Sequence, residues 1–200
     1  MIEPLVAAAG SDWLREQLGG PAFPAAFAAA GRKVGTAPVD TSAIVAAGLL
    51  VPTELGADEC ARGALVLAAV GAQRDPVAFV RDLVRRGEVR ERQAVLRVLA
   101  ALPEPARYVD VGVDACRTNV DGVFRAIACD NAFPARHFPA PAFDQMVLKA
   151  LFVGAPVARI AGLAARTTDE LIRMVEAYAS ERRAAGRSVP EDAKLVTGDE

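Results

Sequence analysis

The stretch TTDELIRMVEAYASERRAAGR, residues 167–187, does most to limit what this chain can fold into. Leu171, Val175 and Tyr178 recur at helical intervals, and Ile172 and Ala179 widen the apolar stripe, so one side is buried and the other wetted. Thr167 and Glu170 stand at the spacing of a capping box, Gly186 stops the helix, and Pro190 prevents its resumption. The same signals recur upstream. In DPVAFVRDLVRRG, Asp75 caps, Pro76 takes the first helical position, and Phe79, Val80, Leu83 and Val84 share a face. EVRERQAVLRVLAALP sets Val95, Val98, Leu99 and Leu102 on one side and ends at Pro103. DECARGALVLAAVG reads as helix from Asp58 to Ala69, and SDWLREQL and PAFPAAFAAAG as two short helices near the N-terminus. Between Pro105 and Cys129 the spacing predicts two helices, interrupted at RTN (117–119), with Asn119 capping the second.

Strand signals are nearly absent. In AIVAAGLLV (43–51) alanine and glycine dilute the β-branched residues, and 31–56 reads as a long connection with a short helix. The expected fold is all-α: one domain over 1–190, an irregular, HEAT-like or α-solenoid-like stack of antiparallel helix pairs, with 191–200 as a flexible tail. No self-similarity at a period of about 34–47 residues is visible.

Two hundred residues suffice for one domain with a sizeable core. With 23 basic and 25 acidic side chains, no broad field draws the chain to nucleic acid or an anionic membrane. The basic run RDLVRRGEVRERQ (81–93) alternates with acids and reads as a solvated helix face. No apolar run reaches the roughly 18 residues of a membrane span, and the first residues lack the basic start of a signal peptide. Cys60, Cys116 and Cys129 are widely spaced and odd in number, which argues against a disulfide framework and for a reducing cytoplasm.

Motifs of defined chemistry are scarce. CxxC, HExxH and HxxxH spacings are absent, as are phosphate-cradling glycine loops and a GxSxG elbow, so no metal or cofactor is expected. The scattered cysteines read as buried small hydrophobes. A Cys129–His137 pair or paired carboxylates stay open as catalytic alternatives.

Two segments stand apart. In AFDQMVLKALFVG (142–154) apolar residues cover nearly the whole circumference, the pattern of a helix enclosed within its domain. Gln145 and Lys149 lie one turn apart on it, and the lysine must reach water, a carboxylate, a carbonyl or a ligand. Asp114, Asp121, Asp130 and Asp144 are the acids near enough in sequence to neutralise it. In CDNAFPARHFP (129–139) two prolines disfavour helix, so 131–140 is expected to be a loop. Phe133 and Phe138 would pin it to the core, Asn131 would start its turn, and Arg136 and His137 would stand at its middle.

The run ACRTNVDGVFRAIACDNAFPARHFPAPAFDQMVLKALFVGAPVARIAGL, followed by ELIRMVEAYASERRAAGRSVP, resembles the EboA family, most closely over 115–190. QMVLKALF and RxxAGRxV carry the resemblance in combination. It implies a helical protein of metabolite traffic, encoded beside biosynthetic enzymes in bacterial clusters, and it transfers no catalytic residues. The motif positions that match are Arg117, Asn119, Asn131, Pro134, Phe138, Gln145, Lys149 and Arg182. The chain departs from the family pattern at Asp144 (Asn expected), Ala164 (Asp), Ser180 (His) and Arg183 (Trp).

The resulting expectation is a non-enzymatic cytoplasmic protein that binds a small-molecule precursor, its biosynthetic enzymes, or both. Arg117, Asn119, Asn131, Arg136, His137, Gln145 and Lys149 are the candidate ligand-binding residues, and their charge favours a phosphorylated or carboxylated metabolite. The alternatives are a scaffold that holds other proteins of the cluster, or a small helical enzyme using Lys149 or His137 as acid or base.

Overall fold

The computed structural model describes residues 1–18, 20 and 22–198. Among them the regular structure is helical: α1 (Ile2–Ala9), α2 (Asp12–Gln17), α3 (Phe23–Val34), α4 (Ser42–Ala46), α5 (Ala57–Val70), α6 (Pro76–Arg86), α7 (Val89–Arg97), α8 (Val109–Ala115), α9 (Asp121–Ala128), α10 (Ala132–His137), α11 (Ala140–Val153), α12 (Leu163–Arg166), α13 (Asp169–Ala184) and α14 (Lys194–Thr197). Short 3-10 turns follow α7 and precede α8, α12 and α14. The long 31–56 connection holds α4, and an isolated antiparallel bridge pairs Pro38 with Gly56.

Local chemistry accounts for the element boundaries. Asp75 accepts the Ala78 N–H at 2.9 Å and Pro76 opens α6, as its sequence requires. α13 starts one residue later than expected: Thr168, not Thr167, is the cap, its Oγ accepting the Leu171 N–H at 3.1 Å. The Thr167 hydroxyl instead donates to the Leu163 carbonyl at 2.9 Å, finishing α12. The break between α8 and α9 falls where expected, but Val120 rather than Asn119 occupies the cap position of α9. α1 was not anticipated. Its cap position is Met1, with no capping side-chain hydrogen bond, and Leu5, Val6 and Ala9 are held by burial instead.

α5 is the enclosed centre of the N-terminal half. Every residue from Ala57 to Val66 is buried, and α1, α3 and α7 pack round it. α7 then packs on α9, α9 on α11, and α11 on α13, so the core continues along the chain. Small side chains permit close approach. A Cβ on Gly63 would stand 2.7 Å from Val98 Cγ1, so glycine is required where α5 meets the end of α7.

Three expectations need correction. Residues 131–140 are not a loop, since 132–137 form α10. Pro134 fits there because it lies in the first turn, where a backbone N–H has no helical partner to lose. α11 is not enclosed all round. Gln145 is exposed, Lys149 is half-buried, and Phe152 is 73% exposed; the three lie at i, i+4 and i+7 and define an outward stripe. Residues 191–198, expected as a loose tail, form a 3-10 turn and α14, with Ala193 and Val196 buried. Residues 199 and 200 of that segment lie outside the described residues.

Candidate functional site

The last turn of α8 leaves carbonyls without helical partners. Lys149 reaches across from α11 and donates to two oxygens of that chain end, Cys116 O at 2.7 Å and Thr118 O at 2.6 Å. Its Nζ also lies 5.0 Å from the centroid of the Phe124 ring. Among the described residues no carboxylate stands within ion-pair distance of it. The negative end of a helix, two carbonyls and a ring face compensate this charge in place of an acid.

An ammonium has three donors, and two are committed to the C-cap of α8 and the turn after it. Lys149 also lines a groove of about 480 Å³ between α8 and α11. Val113, Cys116 and Arg117 form one wall, and Pro141, Ala142, Gln145 and Met146 the other. The groove lining therefore combines apolar side chains with an amide and two cations. Arg117 is 78% exposed and pairs with Asp114 at 3.2 Å. Burial pushes the Cys116 thiol up to about 12, against the pull of the Lys149 charge, so its sulfur is a neutral wall and not a nucleophile.

Three of the residues singled out by sequence thus meet in one groove: Arg117, Gln145 and Lys149. Asn119 is exposed in the turn beyond α8 and is not among the lining residues. Asn131 is buried and fully engaged. Its amide donates to Leu96 O at 3.0 Å and Ala126 O at 2.9 Å, and its oxygen accepts the Phe133 N–H at 2.9 Å as the cap of α10. Arg136 is exposed on α10. His137 packs its ring 5.0 Å from that of Phe133, and burial followed by the Arg136 charge lowers its pKa. Neither residue lines the Lys149 groove.

The segment that carries them is held firmly. Phe133 and Phe138 are buried edge to face, 6.0 Å apart, and Arg166 donates to Ala135 O at 2.6 Å and Phe138 O at 2.8 Å. Arg182, another residue of the family pattern, donates to Ser188 O at 2.5 Å and lies over the Tyr178 ring. Asp144, which departs from the pattern, is buried; one oxygen accepts from Thr168 at 3.3 Å and the other has no hydrogen-bond partner among the described residues. An asparagine amide there would donate where this carboxylate cannot.

The largest polar arrangement was not foreseen. Asp58, fully buried on α5, accepts from Arg62 at 2.5 Å and from both Nε (2.8 Å) and Nη2 of Arg90. Burial works against its ionisation, but the Arg90 hydrogen bond and the charges of Arg90 and Arg62 hold its carboxyl below the usual range. Neighbouring Glu59 accepts the Gly56 N–H at 3.1 Å, and burial raises its pKa despite that bond and the charges of Arg97 and Arg90. Beside it Arg159 bridges Asp130 (2.5 Å) and Glu54 (2.9 Å). Arg97 donates to Cys129 O at 2.8 Å, so this network ties α5, α7 and the end of α9 together. The i, i+4 pair Asp58–Arg62 was the available signal, but only the fold shows that it is buried.

Among the described residues no group of His, Cys, Asp and Glu side chains is arranged to hold a metal ion, and no helix is long and apolar enough to cross a membrane. A family model described as metabolite traffic protein EboA matches residues 14–196. No curated protein and no solved structure matches the chain.

Proposed function

The chain belongs to the EboA family of metabolite traffic proteins, and from that premise we propose that it is a non-enzymatic cytoplasmic binding protein that holds a small-molecule precursor in the α8–α11 groove. The observation that carries this reading is the placement of Lys149. It is a cation with no carboxylate partner among the described residues, fixed by two carbonyls at the edge of the groove, with Gln145 one turn away and Arg117 opposite. A ligand with an apolar body and a carboxylate or phosphate at one end matches that lining. Its head would take the remaining Lys149 donor and Arg117, its body would cover Val113, Ala142 and Met146, and Gln145 would give direction.

Fixing the ammonium beforehand supports such a role, since a side chain already ordered loses little freedom on binding.

A second reading rests on Phe152, which is 73% exposed on the stripe that carries Gln145 and Lys149. An aromatic ring so placed suits contact with a partner protein. In this reading the helices act as a HEAT-like stack offering a concave face to other proteins of the cluster.

The test is recovery of bound metabolites from protein purified from its own host. The groove reading predicts compounds released on denaturing the wild type that are missing from Gln145→Trp, whose ring fills the groove. If both proteins release the same compounds, or neither releases any while a partner protein co-purifies, the groove reading fails.

A further inference from the structure

On the far side of α8 lies a second concavity, a cleft of about 330 Å³ between α6, α7 and α8. Arg81 and Arg85 enter it from α6, Arg92 from α7, and Arg117 from the end of α8; its one acid is Asp114. Four guanidiniums against one carboxylate leave an excess of three positive charges, in a chain whose net charge is −2.

The excess arises because acids of the basic run are used elsewhere. Asp82 faces Arg86 at 3.6 Å, Glu91 accepts the Glu88 N–H at 2.9 Å to close the cap of α7, and Arg90 turns to Asp58. Asp114, in the cleft itself, is engaged by Arg117. Among the described residues Arg81, Arg85 and Arg92 have no carboxylate within ion-pair distance. The run that reads as a solvated face in sequence is therefore sorted by the fold, its paired arginines outside the cleft and its unpaired ones within.

A purely solvated face would leave every guanidinium hydrated. Here the Nε of Arg92 is buried and has no hydrogen-bond partner among the described residues, at a group whose N–H donors need acceptors. The floor is Val84, Val111 and Ala115, all buried and apolar, which keeps water from one side and strengthens charge–charge attraction within. Arg81 and Arg85 stand one turn apart on α6, so their planar forks approach an occupant from the same side.

We propose that this cleft is a binding site for a phosphate or diphosphate group of a small molecule. Several guanidiniums converging from three helices match the many acceptor oxygens of such a group better than the two of one carboxylate. The concavity is too small for a nucleic-acid backbone to follow. The site shares Arg117 with the Lys149 groove but does not depend on what that groove holds.

Isothermal titration with inorganic pyrophosphate and with octyl phosphate, at physiological ionic strength, tests it. In Lys149→Met protein, whose groove has lost its ammonium, both should bind saturably at one site per chain. Tighter binding of octyl phosphate points to an organic ester as the natural ligand, and tighter binding of pyrophosphate to a free anion. Arg81→Gln and Arg85→Gln should each weaken binding by about tenfold. Arg86→Gln, whose parent side chain is 80% exposed and outside the cleft, should leave it unchanged. Wild type and Lys149→Met should bind pyrophosphate alike, which separates this site from the groove. Absence of saturable binding to folded protein, or equal weakening by Arg86→Gln, overturns the proposal.

Discussion

The ammonium of Lys149 lies 2.7 Å from the carbonyl oxygen of Cys116, fastening α11 to the last turn of α8. One side chain therefore closes a helix end and lines a groove. Its removal is expected to affect both stability and binding, unlike the loss of a purely surface cation.

Lys149→Met keeps the apolar stem over Phe124 and deletes the charge. Stability should fall by about 1–2 kcal/mol, the range for a partly buried cation at a helix C-terminus. Urea unfolding measures it. An unchanged midpoint would mean that the two carbonyl contacts contribute nothing.

Asp58→Asn leaves Arg62 and Arg90 without their shared carboxylate inside the protein. Breaking a buried pair costs about 3–5 kcal/mol, and the variant is expected to unfold at much lower urea. The pH dependence has a definite sign. Asp58 is depressed below 3.8 by its arginines, so its stabilisation is complete above that value and is lost as pH falls through the lower folded pKa. Glu59 is raised above 4.5 by burial, so its contribution is present in acid and lost as pH rises through the folded value. Replacing Asp58 should therefore flatten the acid limb of the stability curve below pH 3.8; an unaltered limb contradicts the assignment.

Gly63→Ala places a methyl 2.7 Å from Val98 Cγ1, and that clash should outweigh the better helix propensity of alanine. The loss is expected to be about 1–3 kcal/mol. Adding Val98→Ala removes the obstructing methyls, so the double variant should lose less than the two single losses combined. Simple additivity in thermal unfolding would show that the helices do not approach this closely.

His137 is the only histidine, so its imidazole gives one unambiguous NMR titration. Burial and then Arg136 lower its pKa, so the midpoint should lie below 6.5 and rise in Arg136→Ala. The neutral ring is favoured in the fold, and the small stability it contributes is lost as pH falls below 6.5. A midpoint at or above 6.5 contradicts the packing against Phe133.

Sequence was most informative where a boundary is set by neighbours in the chain. Asp75, Pro76 and the apolar face of α6 needed nothing remote to be read correctly. Thr167 and Thr168 are both plausible caps, and the choice turns on the Leu163 carbonyl, which only the packed structure places. Pro134 misleads for a similar reason. It excludes a helix interior but not a first turn, and which of these applies depends on Asn131 serving as cap. On α11 apolar residues do occupy most of the circumference, but Phe152 faces outward, and no period in the sequence separates a buried phenylalanine from an exposed one.

The candidate site was legible in part. Gln145 and Lys149 share a helix face by spacing alone, and that face does line a groove. The partners of Lys149 were not legible, because four acids stood near it in sequence while two backbone oxygens hold it in space. The run at 81–93 shows the same limit. Acids are interspersed among its arginines along the chain, and the fold separates those that are paired from those that are not.

The most direct test of the groove uses its one methionine. Met146 lines it, while Met1 and Met174 do not, and these are the only three methionines of the chain. Protein labelled with 13C at the methionine methyls should be titrated with a small-molecule extract of its own host. Binding in the groove predicts that the Met146 methyl resonance moves while that of Met174 stays, and that Gln145→Trp abolishes the movement. A stationary Met146 signal, or a shift confined to Met174, would contradict the account.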